Sequence, residues 1–123
     1  MKKVWIVDDD EEMTRAIELM LGLIDFEATA YSNARSATKA LLAGNLPDLM
    51  ILDINMPEVS GLDLLEFVRR RSEWKKLPVI MLSTEAADVT VDKAMKLGAD
   101  GYVMKPVTIE ELERAINAAF LKH

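Results

Sequence analysis

Short apolar segments alternate with stretches of helical period along the whole chain, and this alternation restricts the fold more than any other feature. Five such segments recur: VWIV (4–7), EATAY (27–31), LMILD (49–53), PVIML (78–82) and GYVMK (101–105). The first, third and fourth are almost entirely apolar, which is typical of strands in a parallel sheet covered on both faces. The second is the least apolar, which favours an edge position.

Each strand-like segment is followed by apolar residues at helical spacing. The five stripes are Met13, Ala16, Ile17, Met20, Leu21 and Ile24; Ala34, Ala37, Leu41 and Leu42; Leu62, Leu65 and Val68; Val91, Ala94 and Leu97; and Ile109, Leu112, Ile116, Ala119 and Phe120. Ser60 and Thr108 are predicted N-caps, with Glu111 completing a capping-box pattern, and Gly44 and Gly98 are predicted helix ends. The order βαβαβαβαβα predicts a doubly wound α/β domain with a five-stranded parallel sheet and helices on both faces.

Length and charge narrow the function classes. The 123 residues fit one domain, 1–123, and no apolar run approaches the roughly 20 residues that a membrane-spanning helix needs. The chain has no cysteine, so disulfides and thiolate metal sites are excluded and a reducing cytoplasm is the expected location. The net charge of -6 argues against this domain binding nucleic acid, and it is compatible with binding a cation.

Polar side chains follow four of the five predicted strands, where the carboxyl ends of parallel strands meet at one edge of the sheet. These residues are Asp8, Asp9, Asp53, Ser83, Thr84, Glu85 and Lys105. Carboxylates this close together repel one another unless a cation lies between them. The three acids that continue the first group, Asp10, Glu11 and Glu12, are interpreted as favourable charges at a helix N-terminus.

Hard oxygen ligands, without cysteine or a usable histidine, favour Mg²⁺ or Mn²⁺ over zinc. Such an ion commonly shares phosphate oxygens with a substrate, so the group is suited to phosphoryl transfer. A carboxylate can act as the nucleophile and form an aspartyl phosphate. A lysine and a hydroxyl could then stabilise the transferred group.

Four motifs in order give a specific resemblance. VDDD (7–10), LDINMPEVSG (52–61), MLST (81–84) and GYVMKP (101–106) resemble the receiver domain of two-component response regulators, over essentially the whole chain. The layout is similar to the single-domain chemotaxis regulators of that family. The resemblance implies a flavodoxin-like fold with strand order 2-1-3-4-5.

By this resemblance, Asp53 is the expected phosphoacceptor for the phosphohistidine of a histidine kinase. Asp9 would bind Mg²⁺ directly, Asp8 mostly through water, and Asn55 through its backbone carbonyl. Asn55 and Glu85 form a pair similar to that of the chemotaxis regulators, which implies a short-lived phosphoryl state.

The remaining positions are implied in the same way. Ser83 stands at the position of the family's switch hydroxyl. Thr84 beside it is bulkier than the alanine that is frequent at that position in the family, and this could narrow the access of a phosphodonor or of water to the site. Lys105 would bind the phosphoryl group and precede a cis bond to Pro106. Tyr102 matches the aromatic residue that reorients on activation.

The implied protein is a molecular switch. Its partners would be a sensor histidine kinase or phosphotransfer protein and an unknown effector, and it would be a monomer or a phosphorylation-linked homodimer. It would catalyse only its own phosphorylation and autodephosphorylation. The expected output face comprises the fourth helix, fifth strand and fifth helix, with Lys93, Lys96 and Glu113 as candidate surface positions.

One alternative keeps the fold: a pseudo-receiver that works through phosphorylation-independent contacts. A haloacid-dehalogenase-like phosphatase would use the bare DxD of Asp8–Asp10, but Glu12 stands where its threonine belongs. An EF-hand is excluded, because Met13 and Leu19 occupy the positions of its glycine and its glutamate. No glycine-rich phosphate loop follows the first strand, which excludes a nucleotide-binding module.

Overall fold

A computed structural model describes residues 1–84 and 87–123. In this part of the chain, strands and helices alternate in the predicted order. Their bounds are β1 Lys3–Val7, α1 Glu11–Leu23, β2 Glu27–Tyr31, α2 Ala34–Leu42, β3 Leu49–Asp53, α3 Gly61–Arg70, β4 Val79–Ser83, α4 Asp88–Lys96, β5 Gly101–Met104 and α5 Ile109–Leu121. A short 3₁₀ helix at Ser72–Trp74, which was not predicted, precedes β4.

The five strands form one parallel sheet in the order β2-β1-β3-β4-β5, which confirms the expected doubly wound topology. β1 pairs with β2 on one side and with β3 on the other. β2 is thus added on one side of β1, and β3 and the later strands are added on the other side. The carboxyl ends of these two strands flank a crevice, the usual ligand position in open α/β sheets.

The sheet separates two hydrophobic cores, and this accounts for the uninterrupted apolar strands. Alternate residues of the central strands point to opposite faces. One core joins Trp5, Val7, Met50, Leu52, Val79 and Met81 to α2, α3 and Ala94 of α4. The other joins Val4, Ile6, Leu49, Ile51, Ile80 and Leu82 to α1 and α5.

The helix starts follow the sequence signals. Ser60 caps α3 and forms a complete capping box with Asp63. The Thr108 hydroxyl oxygen accepts the Glu111 N–H at 3.2 Å, while the hydroxyl donates to the Glu111 carboxylate at 3.0 Å. Asp10 caps α1 by accepting two backbone N–H groups. Its two acidic successors form the first turn, as interpreted from the sequence.

One predicted core position is wrong. Leu42 is 56% exposed, while Leu41 is buried. Successive helical residues lie about 100° apart. The face that buries Ala34, Ala37 and Leu41 therefore turns Leu42 to solvent. The α2 helix ends at this residue, and Gly44 follows with φ +94°, consistent with its predicted role as a helix end.

Strand boundaries differ slightly from the prediction. β4 is shifted by one residue from the predicted 78–82, because Pro78 precedes it. β5 is one residue shorter than the predicted 101–105, because Lys105 follows it. Among the described residues, no helix is long and apolar enough to cross a membrane.

Candidate functional site

Two buried carboxylates lie side by side at the crevice between β1 and β3. Asp8 directly follows β1 and is 2% exposed; Asp53 is the last residue of β3 and is 3% exposed. Lys105, just after β5, extends to both: its Nζ lies 3.1 Å from Asp8 Oδ2 and 3.4 Å from Asp53 Oδ1. The strand-end argument from sequence therefore placed these three residues together correctly.

A third carboxylate completes a possible cation site. One oxygen each from Asp8, Asp9 and Asp53 lies within 4.8 Å of the others, with Asp9 on the exposed side. Asp8 Oδ1 accepts the Asp10 N–H at 3.0 Å. Asp8 Oδ2 is buried and accepts no hydrogen bond from the described residues, although the Lys105 ammonium faces it. A buried, incompletely satisfied carboxylate oxygen beside two more carboxylates fits a hard divalent cation such as Mg²⁺.

The pKa values of Asp53 and Lys105 are both shifted by burial and by the charged groups beside them. Burial and the neighbouring Asp8 carboxylate raise the pKa of Asp53 to about 6, against the lowering effect of Lys105 and the Asn55 N–H. Burial lowers the pKa of Lys105, but its contacts with Asp8 and Asp53 raise it more, so the net direction is upward. Lys105 is therefore a cation at neutral pH.

The loop after β3 is held close to Asp53. The Asn55 N–H lies 3.4 Å from Asp53 Oδ1, and the Asn55 side chain is exposed. Further along, the Gly61 N–H donates to the Ile54 carbonyl at 3.1 Å. A Cβ on Gly61 would lie 2.1 Å from the Asp53 carbonyl oxygen, so only glycine allows this approach. The glycine of LDINMPEVSG was quoted in the motif, but its steric role was not predicted.

Replacing Gly61 with alanine should lower the unfolding free energy by roughly 1–3 kcal/mol, because the added Cβ displaces the backbone of Asp53. Urea denaturation followed by the fluorescence of the two buried tryptophans measures this. Gly22→Ala is the matched control, since a Cβ there meets no described atom within 4 Å in α1. The control should be stabilised by roughly 0.5–1 kcal/mol. Equal effects of the two changes would contradict the close approach at Gly61.

The remaining predicted site residues lie around the same crevice. Ser83 ends β4, is fully buried, and its carbonyl accepts the Lys105 N–H at 2.8 Å. Thr84 is exposed beside it. The Lys105–Pro106 bond is cis, as expected. Tyr102 is half-buried against the α2–α3–α4 core. Glu85, paired with Asn55 in the expectation about phosphoryl lifetime, lies outside the described residues.

The chain belongs to the response regulator receiver domain family. The family model of that description matches residues 4–117, almost the whole chain. The fold and the cluster of aspartates with Lys105 had indicated this class of protein.

Relatives of this chain include chemotaxis regulators. The chemotaxis protein CheY of Pseudomonas aeruginosa is 38% identical over 119 residues, which are 96% of this chain and 95% of that protein. Protein RcaC of Microchaete diplosiphon is 34% identical over 114 residues, which cover 93% of this chain but only 17% of that longer protein.

A solved structure agrees with these matches. The chemotaxis protein CheY4 of Vibrio cholerae, crystallised at low pH, superposes with a TM-score of 0.87 at 30% identity. The superposition covers 97% of this chain and 98% of the other. The chain is thus similar in fold and extent to chemotaxis-type receivers.

Proposed function

We propose that residues 1–123 form a phosphorylation-dependent switch that accepts a phosphoryl group on Asp53 in a Mg²⁺-dependent reaction. The donor would be the phosphohistidine of a histidine kinase or phosphotransfer protein. The observation that carries the proposal is the pair of buried carboxylates on adjacent strands with one lysine between them. An ion-pair cluster of this kind is expensive to bury, and with Mg²⁺ bound between its carboxylates it would present two cations, the metal and Lys105, to a doubly charged phosphoryl group.

The transfer is a displacement at phosphorus. A carboxylate oxygen of Asp53 attacks, the bond from phosphorus to the donor's histidine nitrogen breaks, and the imidazole leaves with the electron pair. Bound Mg²⁺ would supply positive charge to the phosphoryl oxygens, held by Asp8, Asp9, Asp53 and the Asn55 carbonyl.

Lys105 and Ser83, the last residue of β4, would bind the phosphoryl group once it is attached to Asp53. Lys105 moves from Asp8 towards the new phosphoryl oxygens, and the Ser83 hydroxyl hydrogen-bonds them. Thr84, exposed beside Ser83, limits access to the group. Displacement of Ser83 towards the phosphoryl group would make room for Tyr102 to turn inward and bias α4, β5 and α5 towards the state that binds an effector.

Intact-mass spectrometry after incubation with acetyl phosphate or phosphoramidate, with and without Mg²⁺, tests the proposal. The native chain should gain one phosphoryl group only when Mg²⁺ is present, and Asp53→Asn should gain none. Asp10→Asn is the matched control, because it removes an adjacent acid while asparagine still caps α1; it should be labelled like the native chain.

The outcomes separate the alternatives. An adduct that persists in Asp53→Asn would show that the acceptor is another residue. A folded native chain that gains no adduct from either donor, with or without Mg²⁺, would instead support the phosphorylation-independent pseudo-receiver.

Replacing Lys105 with methionine should raise the affinity for Mg²⁺ roughly tenfold or more, because it removes a cation only 3.1 Å from Asp8 Oδ2. Isothermal titration calorimetry with MgCl₂ measures this without any phosphoryl donor. Lys96→Met, on the exposed face of α4, is the control and should leave the affinity unchanged. An unchanged affinity for Lys105→Met would contradict competition between this ammonium and the metal.

A further inference from the structure

The segment RRRSEWKK (69–76) concentrates positive charge in a chain whose net charge is -6. Arg69 is largely buried and donates to the Gly98 carbonyl at 2.9 Å and to the Asp100 carboxylate at 3.0 Å. The other cations of the segment are partly or largely exposed: Arg70, Arg71, Lys75 and Lys76. Glu73 is the one acid among them. The end of α3 and the residues after it therefore form a basic surface.

This basic surface borders a groove of about 320 Å³ between the C-terminal end of α2 and the 3₁₀ helix. Its lining includes Leu42, Leu46, Arg71, Glu73 and Trp74. The two leucines are apolar, yet they are 56% and 55% exposed. The Arg71 guanidinium lies over the Trp74 ring, 4.9 Å from its centroid, and its Nη2 lies 2.9 Å from Glu73 Oε2. The groove thus combines exposed apolar side chains with a half-exposed charged pair.

The groove lies at the end of the sheet away from Asp53. Each helix runs antiparallel to the strand before it, so the C-terminal ends of α2 and α3 lie beside the amino ends of the strands. A ligand in this groove would not contact the phosphoacceptor, and an inference about the groove does not depend on the proposed phosphoryl transfer.

We propose that this groove binds an acidic amphipathic helix of a partner protein. Such a helix presents a row of apolar side chains, which can cover Leu42 and Leu46 together. Its carboxylates would face the exposed cations of the 69–76 segment, and this charge complementarity favours an acidic partner over a basic one.

Two other occupants fit the groove less well. An extended peptide needs a free sheet edge for its main-chain hydrogen bonds, and among the described residues that line the groove none belongs to the edge strands β2 and β5. A membrane offers no better match, because two leucines provide little apolar area for insertion and anionic lipids repel a chain of net charge -6.

Two synthetic helices of about 16 residues serve as probes. Both carry leucine at positions i, i+3, i+4 and i+7, with glutamate and alanine elsewhere in one and lysine and alanine elsewhere in the other. Titration into the isotope-labelled chain is followed by NMR through the indole N–H signals of its two tryptophans. The acidic helix should shift the Trp74 signal and leave that of Trp5, buried in β1, unchanged. The basic helix should bind roughly tenfold more weakly.

The double variant Leu42→Gln/Leu46→Gln should weaken binding of the acidic helix roughly tenfold or more, because it removes apolar surface that the helix covers. Both positions are more than half exposed, so the fold does not depend on them. Leu19→Gln/Leu23→Gln is the matched control, since these two leucines of α1 are 72% and 75% exposed but do not line the groove. Its affinity for the acidic helix should equal that of the native chain.

Four results would overturn the proposal. The first is a Trp74 signal that does not shift at about 1 mM acidic helix. The second is equal affinity for the acidic and basic helices, which would remove the argument from charge. The third is an equal loss of affinity in the control variant, which would place the binding surface elsewhere. The fourth is binding to phosphatidylserine vesicles that Leu42→Gln/Leu46→Gln abolishes, because the groove would then be a membrane contact.

Discussion

Replacing Asp53 with asparagine should stabilise the fold, measured without added metal, by on the order of 3 kcal/mol above pH 6. Asp53 is buried beside the Asp8 carboxylate, and its pKa is raised from 3.8 to about 6. Each pH unit by which a pKa is higher in the folded state than in the unfolded state corresponds to about 1.4 kcal/mol of unfolding free energy. The native chain therefore bears a penalty for ionising Asp53 that the unfolded chain does not. Asparagine removes the charge, while Lys105 keeps Asp8 as its partner.

The sign of the pH dependence follows from proton binding. Between about pH 4 and pH 6, native Asp53 keeps a proton that the unfolded chain has lost. The contribution of Asp53 to the unfolding free energy of the native chain therefore falls as the pH rises through this window. The advantage of Asp53→Asn should be near zero below pH 4, should grow across the window and should then stay constant.

Urea denaturation at several pH values from 3.5 to 8 measures this difference. The control is Asp25→Asn, which changes the net charge equally at an exposed position with φ +67°, where asparagine is tolerated. The control should change stability by less than about 0.5 kcal/mol at every pH. A gain that does not vary with pH, or a loss at pH 7.5, would show that desolvation of Asp53 does not set the stability of this site.

The element order was predictable because the three central strands are buried on both faces and each helix is buried on one. These two kinds of burial leave distinct periods in the sequence. The strand order came from resemblance to the receiver family, since apolar periodicity does not say which strands are neighbours. The same periodicity misassigned Leu42, because both Leu41 and Leu42 are apolar and the sequence does not show that only Leu41 lies on the face with Ala34 and Ala37.

The candidate site was predictable to the extent that it depends on strand ends. Parallel strands bring Asp8, Asp53 and Lys105 to one edge whatever their exact register. The approach of Gly61 to the Asp53 carbonyl was not predictable, because it depends on the path of a loop. The roles of Ser83 and Tyr102 remain predictions, since they concern movement between two states.

The 3₁₀ helix and the Arg69 contacts were missed for a different reason. The segment RRRSEWKK (69–76) is dense in charge and suggests a solvated helix end. Arg69, however, lies four residues after Leu65, on the buried face of α3. A cation on an apolar stripe, followed by a lone tryptophan, was the available signal. This signal could not be interpreted from the sequence alone, because two of the groups that accept hydrogen bonds from Arg69, those of Gly98 and Asp100, lie about 30 residues further along the chain.

Replacing Arg69 with methionine should lower the unfolding free energy by about 3–5 kcal/mol, the cost of removing one partner of a buried ion pair. The Arg69 side chain is 15% exposed, and its Nη2 lies 3.0 Å from Asp100 Oδ2. It also donates to the carbonyls of Gly98 at 2.9 Å, Leu77 at 2.7 Å and Trp74 at 3.3 Å. Methionine fills the volume of the aliphatic stem but leaves these acceptors without their donor.

The neighbouring arginine provides the control. Arg70 pairs with Glu66 on the surface of α3, and its side chain is 78% exposed. Exposed pairs contribute little, so Arg70→Met should cost less than about 1 kcal/mol although it removes the same charge from the same helix. Similar losses for both variants would mean that the charge removed, and not the buried contacts of Arg69, determines the effect.

A double-mutant cycle separates the ion pair from the carbonyl contacts. Asp100→Asn alone leaves the charged Arg69 guanidinium buried with only neutral acceptors. Burial of this guanidinium lowers the pKa of Arg69, and the Asp100 carboxylate opposes that lowering, so removing the carboxylate destabilises the charged group. If the ion pair dominates, the loss in the double variant Arg69→Met/Asp100→Asn should be smaller than the sum of the single losses by about 1 kcal/mol or more. Additive losses would assign the stabilisation to the three carbonyls. These carbonyls join the end of α3 to the segment before β4 and to the segment after α4, at the end of the sheet away from the candidate site.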